Sequence, residues 1–486
     1  MRLAGRLLGV AVLASAAGCA PDLTIGGSSS GGAGGGSAGG GGIGGATSDG
    51  GGGTTTPATT TGGGAGGGAE SGSVVWADAL LVTDDDFPTG VVVDSKGLVR
   101  TSFDSVSLTA SIVCAGLFEH IAEPPSVVDD VAFLLDGLGV STSRAMAVDS
   151  QDFLVIAGAL NGTTDDEVGS DTYAESQGGM DCLIAKAGLS FSWARALGGE
   201  GYSECVGVVI DDQDDIFVVG TFSGDMEADQ VKLTSEGGED IFVAKYSPFG
   251  TLLDAWTYGD TFRQRARAAG RDASGVIYVL GDDEGEGVAG GSDVLLLKLD
   301  PATGEQTVRR FGTASDEHAR ALQVQPDGGV AMTGTFYGTL DLGGGVLGHD
   351  SFSEARFVAR FDARGEHVMS RGFYTSNTLD VASVVTDGAG NTFVGGTFYY
   401  AFDLAGETYW SEGGTTDGFV AKLGPGGDVL WVEEIESAQN EGIGAMTLAP
   451  NGHLIVTGYT GGTLIYGPWT LNGSSDVNHF VLEMVP

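Results

Sequence analysis

The chain is expected to be all-β and built from repeated four-stranded antiparallel units, and three observations carry that expectation. One phrase, DGFVAKLGPGGDVLW from Asp417, returns as DIFVAKYSPFGTLLDAW from Asp240, DCLIAKAGLSFSW from Asp181, DVLLLKLDPATGEQ from Asp293 and ARFVARFDARGEHVM from Ala355. A second phrase alternates with it, as in VIDDQDDIFVVGTF (209–222) and VVTDGAGNTFVGGTF (384–398). Its glycine falls at Gly158, Gly220, Gly281, Gly334, Gly396 and Gly458, at intervals of 62, 61, 53, 62 and 62 residues. The basic residue of the first phrase keeps step, at Lys186, Lys245, Lys298, Arg360 and Lys422. The third observation is that no window sustains a helical hydrophobic period.

Each strand of the unit has a local reason. Strand A is the AxAVD-like run, and the Asp-x-x-Gly or Pro-Asp-Gly-Gly turn after it tolerates the positive φ of a tight hairpin. Strand B is a β-branched and aromatic run that ends at the repeat glycine. Strand C is the FVAK phrase, and a Pro-x-Gly or similar turn leads to strand D, which carries Trp193, Trp256 and Trp431 in three units. Four such strands in a repeating unit of about 60 residues predict β-propeller blades, because no blade buries both faces alone.

A degenerate first copy, VVVDSKGLVRTSF (91–103), precedes six clear ones, making seven copies of strands A and B. The seventh unit reaches strand C at NHFVLEM (478–484), and its strand D is expected from the other end of the chain. GSVVWADALL, from Gly72, aligns with GDVLWVEEIE, from Gly427, and puts Trp76 in the place of Trp431. The expected fold is therefore a seven-bladed β-propeller, closed by strand 73–82 pairing with the last blade, which removes the exposed edges of an open array.

The pattern D-x-F-V-A-K-x-x-P-x-G-x-x-x-W, followed by A-x-D-x-x-G-N-x-x-V-x-G, resembles the SBBP-type bacterial β-propeller repeat of secreted and surface proteins. It is clearest around 240–281 and 417–458, and the resemblance covers roughly residues 73–486. It implies the fold and leaves the function open.

The front of the chain is organised differently. Arg2 and Arg6 precede a short apolar run, Leu7 to Ala17, as in a secretory signal. Ala16-Ala17-Gly18-Cys19 resembles a bacterial lipobox, departing from it at Ala16, where Leu is commonest. Residues 1–18 are read as the signal peptide, 19–72 as a lipid-anchored Cys19 with a Gly/Ser/Thr-rich tether, and 73–486 as the propeller. The Gly/Ser/Thr stretch cannot bury a core and spans about 40 Å as a flexible coil. The expected protein is a monomeric envelope lipoprotein, at the outer membrane or cell surface and otherwise secreted, held to the membrane by its lipid.

The formal charge of −43, from 65 acidic and 22 basic residues, argues against nucleic acid as a partner and against adsorption to anionic lipid. An acidic surface should prefer neutral glycans, cationic peptides or calcium-bridged ligands over polyanions. With Cys19 lipidated, Cys114, Cys182 and Cys205 remain. Buried free thiols are the favoured reading, with a Cys182–Cys205 bridge as the alternative.

Motifs that suggest chemistry are weak. Gly285 to Gly290 matches GxGxxG, but no helix follows and Glu286 would repel a pyrophosphate. The six histidines, His318 among them, show no ligand spacing. Acidic clusters such as Asp211-Asp212 and Asp282-Asp283-Glu284 leave calcium as an alternative to solvated turns, and no other cofactor is expected. The aspartate before strand C (Asp181, Asp240, Asp293, Asp417, Asp476) recurs too often to be a catalytic acid and is read as a turn cap; the strand C lysines are expected to reach solvent.

The B–C connections are long (160–180, 223–239, 282–292, 337–354, 399–416 and 461–475), which marks one face as the binding side. Tyr399, Tyr400, Tyr409, Trp410 and Trp469 on them are the candidate ligand-binding residues. The expected function is a non-catalytic, surface-tethered propeller that binds a glycan, a peptide or an envelope protein, or serves as a structural scaffold with no discrete ligand. The alternative is a propeller hydrolase or lyase acting on an extracellular polymer. A binding site should break the repeat in one or two neighbouring blades, and the first unit, with its long stretch from Ser107 to Pro125, is the most divergent and the first place expected to hold it.

Overall fold

The computed structural model describes residues 72–80, 85–106, 111–119, 126–127, 139–165, 172–187, 191–285, 291–348, 354–411, 413–466, 469–471 and 477–486. The signal sequence, Cys19 and the tether lie outside the described residues. Among those described there is no helix, and the strands pair antiparallel apart from one parallel contact, Ser111 with Val140. The fold is all-β and propeller-like.

Successive repeats each form a sheet in the order A-B-C-D. The third comprises Ser203–Ile210, Ile216–Ala228, Val231–Tyr246 and Leu252–Tyr258, and the fourth Gln264–Arg271, Ile277–Asp283, Asp293–Leu299 and Gln306–Phe311. The seventh has Glu441–Leu448, Leu454–Thr460 and Asn478–Met484, and its outer strand is Val74–Leu80, in register from Val74 opposite Met484 to Leu80 opposite His479. The first repeat departs from the expected separate blade: Asp85–Val93, Val99–Val106 and Ser111–Glu119 join the second repeat in one sheet through the parallel contact.

The core lies between sheets, which explains the unbroken apolar runs in strands B and C. Side chains alternate across a strand. Ile216, Val218, Phe242 and Ala244 therefore pack toward the second repeat, while Phe217, Val219, Ile241 and Val243 pack toward the fourth. The same sandwiching recurs along the chain, and Val91 and Val99 of the first repeat pack with Ile455 and Val481 of the seventh.

The repeat glycine has a steric cause. All seven A strands carry a register shift at the same place, for example between Cys205 and Gly207 and between Ala319 and Ala321. The strand A carbonyl beside the shift crowds strand B: a Cβ on Gly220 would stand 2.1 Å from the Glu204 oxygen, and one on Gly334 2.3 Å from that of His318. No side chain fits there.

The aspartates before strand C act as turn caps. Asp240 Oδ2 accepts the Glu236 N–H at 2.9 Å, and Asp181 Oδ2 accepts that of Gln177 at 2.6 Å. A glycine after strand D clears room for each carboxylate, Gly198 at Asp181 and Gly259 at Asp240. Burial pushes the Asp240 carboxyl up to about 6. Asp476 lies outside the described residues.

Two readings are corrected. Cys182 and Cys205 form a disulfide rather than free thiols, because strand C of the second repeat brings Cys182 within 4.8 Å, Cα to Cα, of strand A of the third. Lys186 does not reach solvent: its Nζ lies 2.6 Å from the buried Asp149 carboxylate and over the Phe153 ring, both on the A–B turn of its own repeat.

Candidate functional site: the central cavity

The bulges do more than crowd a glycine. An extra residue in one strand re-aims its side chain out of the ladder. The residues at the seven shifts (Thr89, Arg144, Val206, Arg267, Arg320, Ala382 and Gly444) all line one cavity of about 1060 Å³. Ends of B strands (Thr335, Thr397, Tyr459) and starts of C strands (Glu354, Thr416) complete its wall, so it opens at the end of the sheets where the B–C connections lie.

Its most developed wall is on the fourth and fifth repeats. In the third, Thr221 follows the repeat glycine, and its hydroxyl accepts the N–H of Ala266 on the next strand A at 3.0 Å. In the fourth, Asp282 holds that position, and its Oδ1 accepts the N–H of Ala319 at 2.7 Å. The second carboxylate oxygen is then spare. Oδ2 takes Arg267 Nη2 at 2.7 Å and Nε at 2.8 Å, and stands 3.7 Å from His318 Nδ1. Burial works against the charge on Asp282, but His318, Arg267 and the Ala319 N–H outweigh it and hold the carboxyl below its ordinary range. The Asp282 carboxylate in turn raises the imidazole of His318, against the opposing effect of burial. His318 lines the cavity with its side chain 43% exposed, so it is oriented from behind and open in front. Arg320, two residues on, pairs with Asp380 through two nitrogens, at 3.1 and 2.8 Å. A histidine beside a buried carboxylate at a cavity wall can accept and return a proton, while the two arginines beside it are each matched by a carboxylate.

The five aromatic candidates sit elsewhere, and none lines the cavity. Ala401–Leu404 and Glu407–Trp410 form a hairpin that pairs with His367–Tyr374, the outer strand of the preceding repeat. There Tyr409 stacks on Phe402 at 5.1 Å, while Tyr400, at φ 71°, meets Trp410 edge-on at 5.5 Å, both exposed. Tyr399 ends the preceding strand, 38% exposed. Trp469 is half-buried on a second hairpin, whose Tyr466 donates to Glu433 of the preceding repeat at 2.9 Å. These insertions strap one sheet to the one before it.

The repeat held a signal for the cavity residues. The position occupied by His318 is Glu204, Asp380 and Gly442 in other units, and that of Arg267 and Arg320 is Val206, Ala382 and Gly444. Asp282-Asp283 replaces the Thr-Phe of GTF. These are breaks of the repeat in neighbouring units, hidden among turn acids until the register is known. Among the described residues, no cluster of metal-binding side chains was found.

No family model matches the chain. The regulatory protein FlaEY of Caulobacter vibrioides is 26% identical over 271 residues, which is 49% of this chain and 28% of that protein, so the match spans less than a third of that relative. Among solved structures, the chain is similar to the polysaccharide lyase Uly1, at 9% identity and a TM-score of 0.44 over 82% of this chain and 90% of that one. It is also similar to the GH74 enzyme of Niastella koreensis, at 11% identity and a TM-score of 0.28 over 79% and 72%. The expectation of a chain without catalysis is corrected here only to this extent: both of these structures are named as enzymes.

Proposed function

We propose that the chain is a seven-bladed β-propeller of the SBBP type, completed by Val74–Leu80, that works outside the cytoplasm as a hydrolase or lyase on an extracellular polymer. Pairing of the N-terminal strand with the last sheet, and the packing of the first repeat on the seventh, support the ring. The disulfide fits an oxidising compartment, and a lipid on Cys19 with its tether would hold the domain at the cell envelope. The observation that carries the activity is His318, which stands 3.7 Å from the buried Asp282 carboxylate and lines a cavity of about 1060 Å³.

The test is turnover of a polysaccharide panel by the full chain, read as new reducing ends, with the unsaturated ends of an elimination scored separately. His318→Ala should abolish the signal. If His318 acts as the base, it must be neutral, so activity should rise as pH passes its raised pKa, above the ordinary histidine value. Asp282→Asn should move that limb to lower pH. Turnover that survives His318→Ala with an unchanged pH profile would overturn the assignment.

A further inference from the structure

Resting on that reading of the cavity, we propose that its ligand is an acidic glycan carrying singly charged oxyanions, and that Arg144 is the anchor for one of them. The argument begins with which cavity charges are already matched. Arg267 is held by Asp282, and Arg320 by Asp380. Glu354 takes Arg356 at 3.2 Å, which leaves Glu204 and Arg144 as the cavity charges with no ion pair among the described residues. Arg144 forms no ion pair among the described residues, yet it is exposed in the cavity of a chain whose 65 acids outnumber its 22 basic residues. In so acidic a molecule, an arginine kept for stability would be expected to have found a carboxylate.

The fold does not require it either. Arg144 occupies the bulge of Gly139–Val148, where other units carry Thr89, Val206, Ala382 or Gly444. The bulge turns the side chain out of the ladder and into the cavity. A guanidinium presents a planar fork of donors that suits a carboxylate or a sulfate ester, and one fixed positive charge matches one negative charge. A dianionic phosphate would need a second free cation. Elsewhere the same cavity is lined by hydroxyls, Thr89, Thr335, Thr378 and Thr397 among them, which suits a chain that is itself hydroxylated. The charge of the whole molecule opposes polyanions, so selection has to come from this local site.

The experiment measures binding by calorimetry on the full chain carrying His318→Ala, so that no ligand is consumed. The probes are an oligogalacturonate, its carboxyl-reduced counterpart, and a dextran sulfate oligosaccharide. The acidic oligomers should bind and the reduced one should not. Arg144→Gln should weaken acidic binding about tenfold to a hundredfold, as expected for a lost charge-assisted pair, with Arg144→Lys in between. Preference between the two acidic probes identifies the oxyanion as carboxylate or sulfate. Equal binding of the reduced oligomer, or indifference to Arg144→Gln, overturns the inference while leaving the cavity in place. Acidic binding that resists both Arg144→Gln and the cavity-filling Ala382→Trp overturns the cavity reading itself.

Discussion

Replacing Cys182 and Cys205 together by alanine should lower the melting temperature by several degrees and leave the fold in place. The bond joins strand C of the second repeat to strand A of the third across a sequence separation of 23. The chain-entropy relation for a loop of that length gives about 3.4 kcal/mol, from the freedom that the cross-link removes in the unfolded state. Both cysteines are fully buried, so trimming each to alanine adds on the order of 1 kcal/mol for the void. Unfolding entropy of roughly 2 cal/mol/K per residue, over roughly 400 residues, makes each kcal/mol worth a little over 1 °C. The double variant should therefore melt about 5 °C lower, and the reduced wild-type protein about 4 °C lower. Scanning calorimetry reads both, and thiol titration of the denatured, unreduced chain confirms the bond beforehand. The strands should persist in the variant, because Ser203 Oγ still accepts the Cys182-position N–H and donates to the Leu197 carbonyl. A bond confirmed by titration whose removal leaves melting unchanged would refute the entropy argument; two free thiols at these positions would refute the bond.

Three further outcomes are expected. Deleting Val74–Leu80 uncovers the edge of Asn478–Met484, so the truncated chain should self-associate in light-scattering chromatography, and a monomer with unchanged melting would argue against the closing strand. Gly220→Ala should cost about 1–3 kcal/mol by urea unfolding, since its Cβ meets the Glu204 carbonyl at 2.1 Å, whereas Gly388→Ala, with open space around it, should be near neutral. Asp240 holds its proton more tightly folded than unfolded, with a pKa of about 6 against the model-compound value of 3.8. Its contribution is therefore most favourable below about pH 4 and is lost as pH rises through about 6, on the order of 2–3 kcal/mol. Asp240→Asn should flatten that part of the stability–pH curve, and an unchanged slope would count against the buried carboxylate.

The repeat makes the strands, the tight turns and the pairing of Val74–Leu80 with the last sheet legible in the sequence, because each follows from a local rule applied many times over. Asp94, Asp149, Asp211 and Asp387 cap the A–B turns through their own side chains, each accepting the N–H groups two and four residues on. The pairing of Val74–Leu80 was legible through Trp76, whose alignment with Trp431 set the register. What escaped was whatever depends on one residue more or less. A bulge leaves no mark in a hydrophobic pattern, and without it Arg144, Arg267 and Arg320 look like ordinary outward-facing charges on strand A. The long B–C connections have a structural use that their length does not reveal: the hairpins carrying Tyr409 and Trp469 reach back onto neighbouring sheets.

The bulge also explains how a repeat can hold a site without losing the fold. Flanking positions on strand A are committed: Ala266 and Ala319 must be small and buried, and the glycine opposite has no room for a Cβ. The bulged residue and the one two before it have no such duty, so they are free to become Arg320 and His318 in one unit and Gly444 and Gly442 in another. Asp282 goes a step further, since it stands at a position that does have a duty. Thr221 meets that duty with one oxygen; a carboxylate meets it with Oδ1 and has Oδ2 left over, aimed at Arg267 and His318. Asp282→Thr should therefore keep the hydrogen bond to Ala319 and much of the stability, while releasing Arg267 and lowering the pKa of His318. Asp282→Ala should lose both. If the two variants unfolded alike, Oδ1 would not be carrying the inter-sheet bond. If the His318 resonance titrated the same in Asp282→Thr as in the wild type, Oδ2 would not be what holds the imidazole.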